Sequence, residues 1–363
     1  ARELVHAIIA QDADHEYRLF YAAWGARAAR PHNLAALHEL LGRHRNVRAI
    51  PIPLPERRLT QFWHRARVPM PVELFTGRVD VVHEPDFVPP PSLAPMMMTV
   101  HDLSYRIHPE CALPSVARYL NAAVPRALRR AAVILADSQA TRCDLERFLG
   151  VEPDRVAVVF PGVGAQFRPM ARQEVEPVRE RLGLPERFLL FVSTIEPRKN
   201  LPRLLQAYAT LDPASTPPLV IGGRRGWMFE PTFAAIEQFG LAERVRLLDF
   251  VSDNDLPALY NLAWAFVYPS IYEGFGIPAI EALACGTPVL TADNSSLPEA
   301  VGENAVLVEA DSVASIAAGL RRVIDDADLR ERVRTAGPLH TAQFRWDTAA
   351  RQVLDLYHLH GRR

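Results

Sequence analysis

Short apolar runs separated by helical stretches dominate this chain. From residue 188 onward they recur as Phe188–Ser193, Leu219–Gly222, Val245–Leu248, Ala265–Tyr268, Pro288–Thr291 and Ala305–Val308. Runs this short, without alternation of polar and apolar residues, read as strands buried on both faces, and such strands need helices over both faces of a parallel sheet. An earlier series, Val79–His83, Met97–His101, Val133–Asp137 and Val156–Phe160, repeats the pattern. It follows a helix over Glu3–Gln11 and a strand over Tyr17–Ala23. The proline clusters Pro51–Pro55 and Pro89–Pro95 read as loops. The expected fold class is α/β, built from two doubly wound parallel sheets.

Length agrees with that reading: 363 residues favour two domains over one core, and two facing sheets enclose a cleft. The segment Pro161–Pro169 carries little periodicity and reads as the connection. With a net charge of -1, no broad basic face announces nucleic acid as the main partner. Arginine supplies nearly all the positive charge; Lys199 is the one lysine in the chain. Cys111, Cys143 and Cys285 have no metal-ligand spacing and an odd count, so reduced thiols and a cytoplasmic setting are expected. No apolar run approaches the length that crosses a bilayer, and the opening residues lack the character of a secretory signal. Arg126, Arg129 and Arg130 on an otherwise apolar helix fit a solvated face, or a peripheral contact at the inner face of a cell membrane.

Chemistry concentrates after Tyr268. Glu273 stands before the turn Gly274-Phe275-Gly276, Ile277 and Pro278 open a helix, and Glu281 is read in its first turn. The two glycines allow a tight or closely approached backbone, and proline at a helix start forfeits no hydrogen bond. Free amides there suit an anion or a set of hydroxyls. Alternatively, Glu281 offsets the helix dipole and the glycines only turn the chain. Two further strand ends carry polar residues. Phe188–Ser193 runs into Thr194-Ile195-Glu196-Pro197-Arg198-Lys199-Asn200, so two cations precede a helix. Their charge opposes the helix dipole and is relieved by a bound anion such as a diphosphate, with Arg198 as a fork and Lys199 as a point charge. Met97–His101 ends in His101-Asp102, where a ligand-facing residue belongs, although a lone histidine also serves as a structural hydrogen-bonding residue.

The spacing Glu273…Glu281 around Gly-Phe-Gly resembles the Glu-x7-Glu signature of retaining, nucleotide-sugar-dependent glycosyltransferases of the family 4 type, the superfamily of the glycogen synthases. Glu-Pro-Arg-Lys-Asn is similar to that family's phosphate loop. The resemblance covers nearly the whole chain and implies the GT-B architecture: an acceptor-side domain over 1–165 rejoined by a final helix within 346–363, and a nucleotide-sugar domain over 166–345. A first strand and a glycine-rich loop of that family would stand ahead of Ala1. By the same resemblance Arg198 and Lys199 hold the donor diphosphate, Glu281 the ribose hydroxyls, and Glu273 with the amides near Phe275, Gly276 and Ile277 the transferred sugar. His101 then contacts that sugar, Gly222 belongs to a glycine-rich loop near the donor, and Val251 lies beside the base. Ser138 after Asp137 resembles a helix-capping serine and stays outside the catalytic set.

The motifs most resemble bacterial mannosyltransferases of polysaccharide and O-antigen assembly. That implies GDP-mannose as donor, with a UDP-sugar next, a saccharide or polyprenyl-linked saccharide as acceptor, and no required metal or cofactor. A glycoside hydrolase would also use two carboxylates but leaves the diphosphate clamp unexplained. A nucleotide-sugar epimerase on the same architecture and a non-enzymatic two-domain ligand-binding protein are the other readings.

Overall fold

The computed structural model describes residues 2–24, 31–66 and 68–361. Among the described residues, twelve strands, all paired in parallel, form three sheets. They are β1 Tyr17–Trp24, β2 Val47–Pro55, β3 Val82–Glu84, β4 Met96–Val100, β5 Val133–Ala136, β6 Val156–Val158, β7 Leu189–Val192, β8 Leu219–Gly222, β9 Val245–Leu247, β10 Ala265–Tyr268, β11 Val289–Ala292 and β12 Ala305–Val308. Every residue of β4, β5, β8, β10 and β11 is buried, as continuous apolar runs demand when helices cover both faces.

In the second half the strand order is β12-β11-β10-β7-β8-β9. The chain winds outward from β7 to β9, returns to the middle, and winds the other way from β10 to β12. The crevice beyond the carboxyl ends of β7 and β10 is therefore the point where the winding reverses, the usual ligand position of such sheets. Arg198 and Lys199 lie beyond the end of β7 and Glu273 beyond that of β10, so topology brings together groups far apart in sequence.

The first half carries the sheet β3-β4-β5-β6 and a separate pair β1-β2. An apolar cluster, with Phe20 and Ala22 of β1, Ile52 of β2 and Val82 of β3, joins the two sheets in place of ladder hydrogen bonds. Pro51–Pro55 is not a loop but the end of strand β2, paired through Pro51↔Tyr21 and Pro55↔Trp24. The register shifts between Ala22↔Ile52 and Trp24↔Pro55, so an irregularity lies among these prolines. β2 pairs only with β1 among the described strands, and the opposite edge needs no donor.

The helix Trp346–His360 returns to the first half. Its buried Ala349, Ala350 and Val353 pack with Ile8, Met97, Val133 and Leu135. The connecting segment runs against the start of this helix, where Val163 N donates to Phe344 O at 2.9 Å. A side chain at Gly162 would meet Trp346 N at 2.2 Å, so the approach depends on glycine.

Candidate active site

Arg198 and Lys199 converge on one carboxylate. Arg198 Nη1 donates to Glu273 Oε2 at 2.6 Å and to Tyr272 O at 2.8 Å, while its Nη2 reaches Glu196 Oε1 at 3.0 Å. Lys199 Nζ donates to Glu273 Oε1 at 2.6 Å and to Tyr268 Oη at 2.7 Å. Burial alone would raise the Glu273 carboxyl, but the charges of Lys199 and Arg198 bring it down to about 2. Burial would likewise pull the Lys199 ammonium down, and the charge of Glu273 outweighs it, leaving the group protonated. Two cations and the carboxylates of Glu196 and Glu273 thus form a buried cluster in which each charge has a partner, the condition under which such burial is tolerated. Glu273 bridges the two cations, and Glu196 supplies the second negative charge.

The turn after Glu273 is held open by its glycines. Gly276 sits at φ 99°, and a side chain there would meet Leu297 Cδ2 at 2.7 Å. A side chain at Gly274 would lie 2.0 Å from the carbonyl oxygen of His101 in the opposite half. The amides of Gly274, Phe275 and Gly276 have no partner among the described residues, and these residues immediately precede the helix Ile277–Ala284. Pro278 is the second helical residue and Glu281 the fifth, so Glu281 lies past the first turn rather than in it. Its carboxylate accepts from Tyr260 Oη at 3.1 Å, and burial pushes it up to about 8.

Across the cleft, His101 follows β4 and Asp137 follows β5, and the register Val100↔Ala136 sets them side by side. His101 Nδ1 lies 2.8 Å from Asp137 Oδ2, and Nε2 lies 3.0 Å from Pro85 O. Both partners only accept, an arrangement that favours the doubly protonated ring, in which both nitrogens donate. Burial opposes a charge on the ring, but the hydrogen bond His101 donates to Asp137, with the carboxylate's charge, prevails and raises the ring above its ordinary value. Sequence reasoning gave no site role to Tyr268 or Glu196 and left Asp137 outside the catalytic set. The signal for Asp137 was its place at the end of the strand next to that of His101.

One cavity of about 330 Å³ collects these groups. Pro85, His101, Asp102 and Asp137 line one wall; Lys199, Glu273, Gly274, Phe275, Gly276 and Ile277 line the other. Arg198 joins through its ion pair with Glu273. Gly222, Val251 and Glu281 do not line this cavity. Gly222 instead lies against Val251, where an added side chain would meet Val251 Cγ2 at 2.9 Å. The two glutamates of the motif therefore do not flank one space as a hydrolase pair would, even though their protonation equilibria are pushed in opposite directions.

Residues 1–167 match the family model described as Glycosyltransferase Family 4, and residues 173–340 that of Glycosyl transferases group 1. O-antigen chain mannosyltransferase B of Escherichia coli is 34% identical over 283 residues, 77% of this chain and 74% of that protein. D-inositol 3-phosphate glycosyltransferase of Salinispora tropica is 36% identical over 242 residues, 62% of this chain and half of that protein. Among solved structures, Anabaena Alr3699/HepE in complex with UDP and glucose superposes with a TM-score of 0.73 at 20% identity, over 99% of this chain and 96% of that one.

Proposed function

Because this chain belongs to the family 4 and group 1 glycosyltransferases and has their GT-B fold, we propose that it transfers mannose from GDP-mannose to a saccharide acceptor with retention at the anomeric carbon. The observation that carries the reading is the Arg198–Glu273–Lys199 cluster beside unpartnered helix-start amides, with His101 across the same cavity. A diphosphate entering there takes over both cations and the free amides of Gly274, Phe275 and Gly276. Glu273, relieved of them, turns to the sugar hydroxyls. The bond between the sugar C1 and the diphosphate oxygen breaks as the bond from C1 to the acceptor oxygen forms on the same face, and the acceptor proton passes to the leaving phosphate oxygen. Lys199, Arg198 and the amides stabilise the charge that develops on that leaving group, so no metal is required. His101, with Nδ1 engaged by Asp137 and Nε2 by Pro85 O, is a poor proton acceptor; its role is to hold the sugar-side wall.

Glu281 is assigned to the ribose hydroxyls, with Gly222 and Val251 at the nucleoside. Mannose and guanine rest on similarity to the O-antigen mannosyltransferase; UDP-glucose is the competing donor. A polyprenyl-linked saccharide is the acceptor class that fits such a setting. Among the described residues no helix is long and apolar enough to cross a membrane. Arg126, Arg129 and Arg130 remain exposed on the helix Pro114–Arg130, which would let that helix rest on an anionic lipid surface while the acceptor stays in the bilayer.

Incubation with GDP-mannose or UDP-glucose and methyl α-mannoside, followed by NMR of the product, tests the reading. An α-linked mannoside formed from GDP-mannose is expected. A β-linked product, or consumption of donor to an epimeric sugar nucleotide without an acceptor product, would overturn it.

A further inference from the structure

One helix of the first half, Gln139–Leu149, is held at its beginning by the second half. Its N-cap Ser138 accepts from Thr141 N at 3.0 Å, but this leaves the amides of Gln139 and Ala140 without a local partner. Glu299, on the segment after β11, supplies one. Both its carboxylate oxygens accept from Gln139 N at 3.0 Å, and Oε2 also accepts from Ala140 N at 3.3 Å. Five residues into the same helix, Asp144 Oδ2 accepts from Tyr272 Oη at 2.5 Å. Thr141 Oγ1 lies within 3.4 Å of Gly274 O and 3.3 Å of His101 O.

The residues at either side of this seat belong to the cavity. Asp137, two positions ahead of Gln139, orients His101. Tyr272 directly precedes Glu273. The segment carrying Glu299 also grips the Glu273 backbone from both sides, through Ser295 Oγ on its N–H at 3.0 Å and Ser296 Oγ on its carbonyl at 2.8 Å. Ser295 has φ 49°, an uncommon conformation for a serine and one that a built junction holds in place. One short stretch, Asn294–Glu299, therefore sets Glu273 on its own side and fixes the start of the opposing helix.

We propose that Glu299 is a positioning residue for transfer, clasping the two halves so that the His101–Asp137 pair stands opposite Glu273, with Tyr272–Asp144 as the second half of the clasp. The carboxylate suits the task because it accepts from two helix-start amides at once and opposes the positive end of the helix. It does not line the cavity. Its loss should lower turnover while leaving nucleotide affinity nearly intact, because Arg198 and Lys199 lie in one half only.

The proposal rests on the donor reading above, so its test has one arm that needs no donor. Glu299→Ala, Glu299→Gln and Tyr272→Phe are compared with the unaltered chain for release of GDP from GDP-mannose with methyl α-mannoside, for GDP affinity by calorimetry, and for hydrogen exchange of the 139–149 segment. Glu299→Ala is expected to lower kcat about 100-fold, the scale of an ångström misplacement, with GDP affinity changed less than about threefold. Glu299→Gln, which keeps one acceptor, should recover part of that loss, and Tyr272→Phe should lower kcat without lowering it as much. The first turn at Gln139 should exchange faster in Glu299→Ala. Unchanged kcat in both Glu299→Ala and Tyr272→Phe, loss of GDP affinity in step with kcat, or unaltered exchange at Gln139 would each overturn the clasp. If the unaltered chain releases no GDP, the donor reading fails, and the exchange measurement still decides the contact.

Discussion

Lys199 is 6% exposed and bound to Glu273 and Tyr268, so the only lysine of the chain is committed to the cavity. Replacing it by methionine leaves Glu273 with one cation in place of two. Chemical denaturation should show a loss of about 3 kcal/mol, the lower end for breaking a buried pair because Arg198 remains. Glu273→Gln leaves two cations facing each other, and GDP should raise its melting temperature by more than it raises that of the parent chain. Protonation gives a separate check. A carboxyl such as Glu281, raised to about 8 when folded, binds more protons than in the unfolded chain between pH of about 4.5 and 8. Its contribution to stability therefore falls across that window as pH rises, and Glu281→Gln should remove that slope in pH-dependent unfolding. Ribose hydroxyls donate best to the ionised form, so GDP affinity should climb with pH up to about 8 in the parent chain and stay flat in Glu281→Gln. Arg198, Lys199, Glu273 and Glu281 were legible in the sequence as residue types in an informative pattern. That Glu273 bridges the two cations was not, because residues 198, 199 and 273 meet only once β7 and β10 are neighbours.

At the scale of elements, the strand ends do the positioning. Most of the strands stand out as apolar runs, because full burial leaves no polar alternation to blur them. β2 escaped, since proline usually excludes a strand and only an unpaired edge tolerates three of them in alternation. Asp137 escaped for a related reason: side-by-side strand ends become visible only after the β4–β5 register is known. The turn at Gly274 gives the test at this scale. A methyl group there would lie 2.0 Å from His101 O, so Gly274→Ala should force the halves apart. Transfer should fall at least about tenfold while GDP still binds, as read by product formation beside calorimetry. Equal activity would mean that the two walls do not need this approach.

For the whole molecule, the two wound sheets follow from sequence pattern, whereas the separation of β1–β2 from the four-stranded sheet does not; an apolar cluster rather than a ladder joins them. The last helix covers the first half, and ending the chain at Arg345 would uncover Met97, Val133 and Leu135. Such a truncated chain should bind a hydrophobic dye and unfold without a sharp transition. The central claim, that a donor diphosphate settles on Lys199 and Arg198 at the turn after Glu273, has an unusually direct reporter because only one lysine is present. Lysine labelled at the ammonium nitrogen gives a single NMR signal from Lys199. Titration with GDP should move that signal to a saturating endpoint as the partner changes from Glu273 to phosphate, and guanosine should not move it. A Lys199 signal that stays in place while GDP binding is registered by calorimetry would contradict the account.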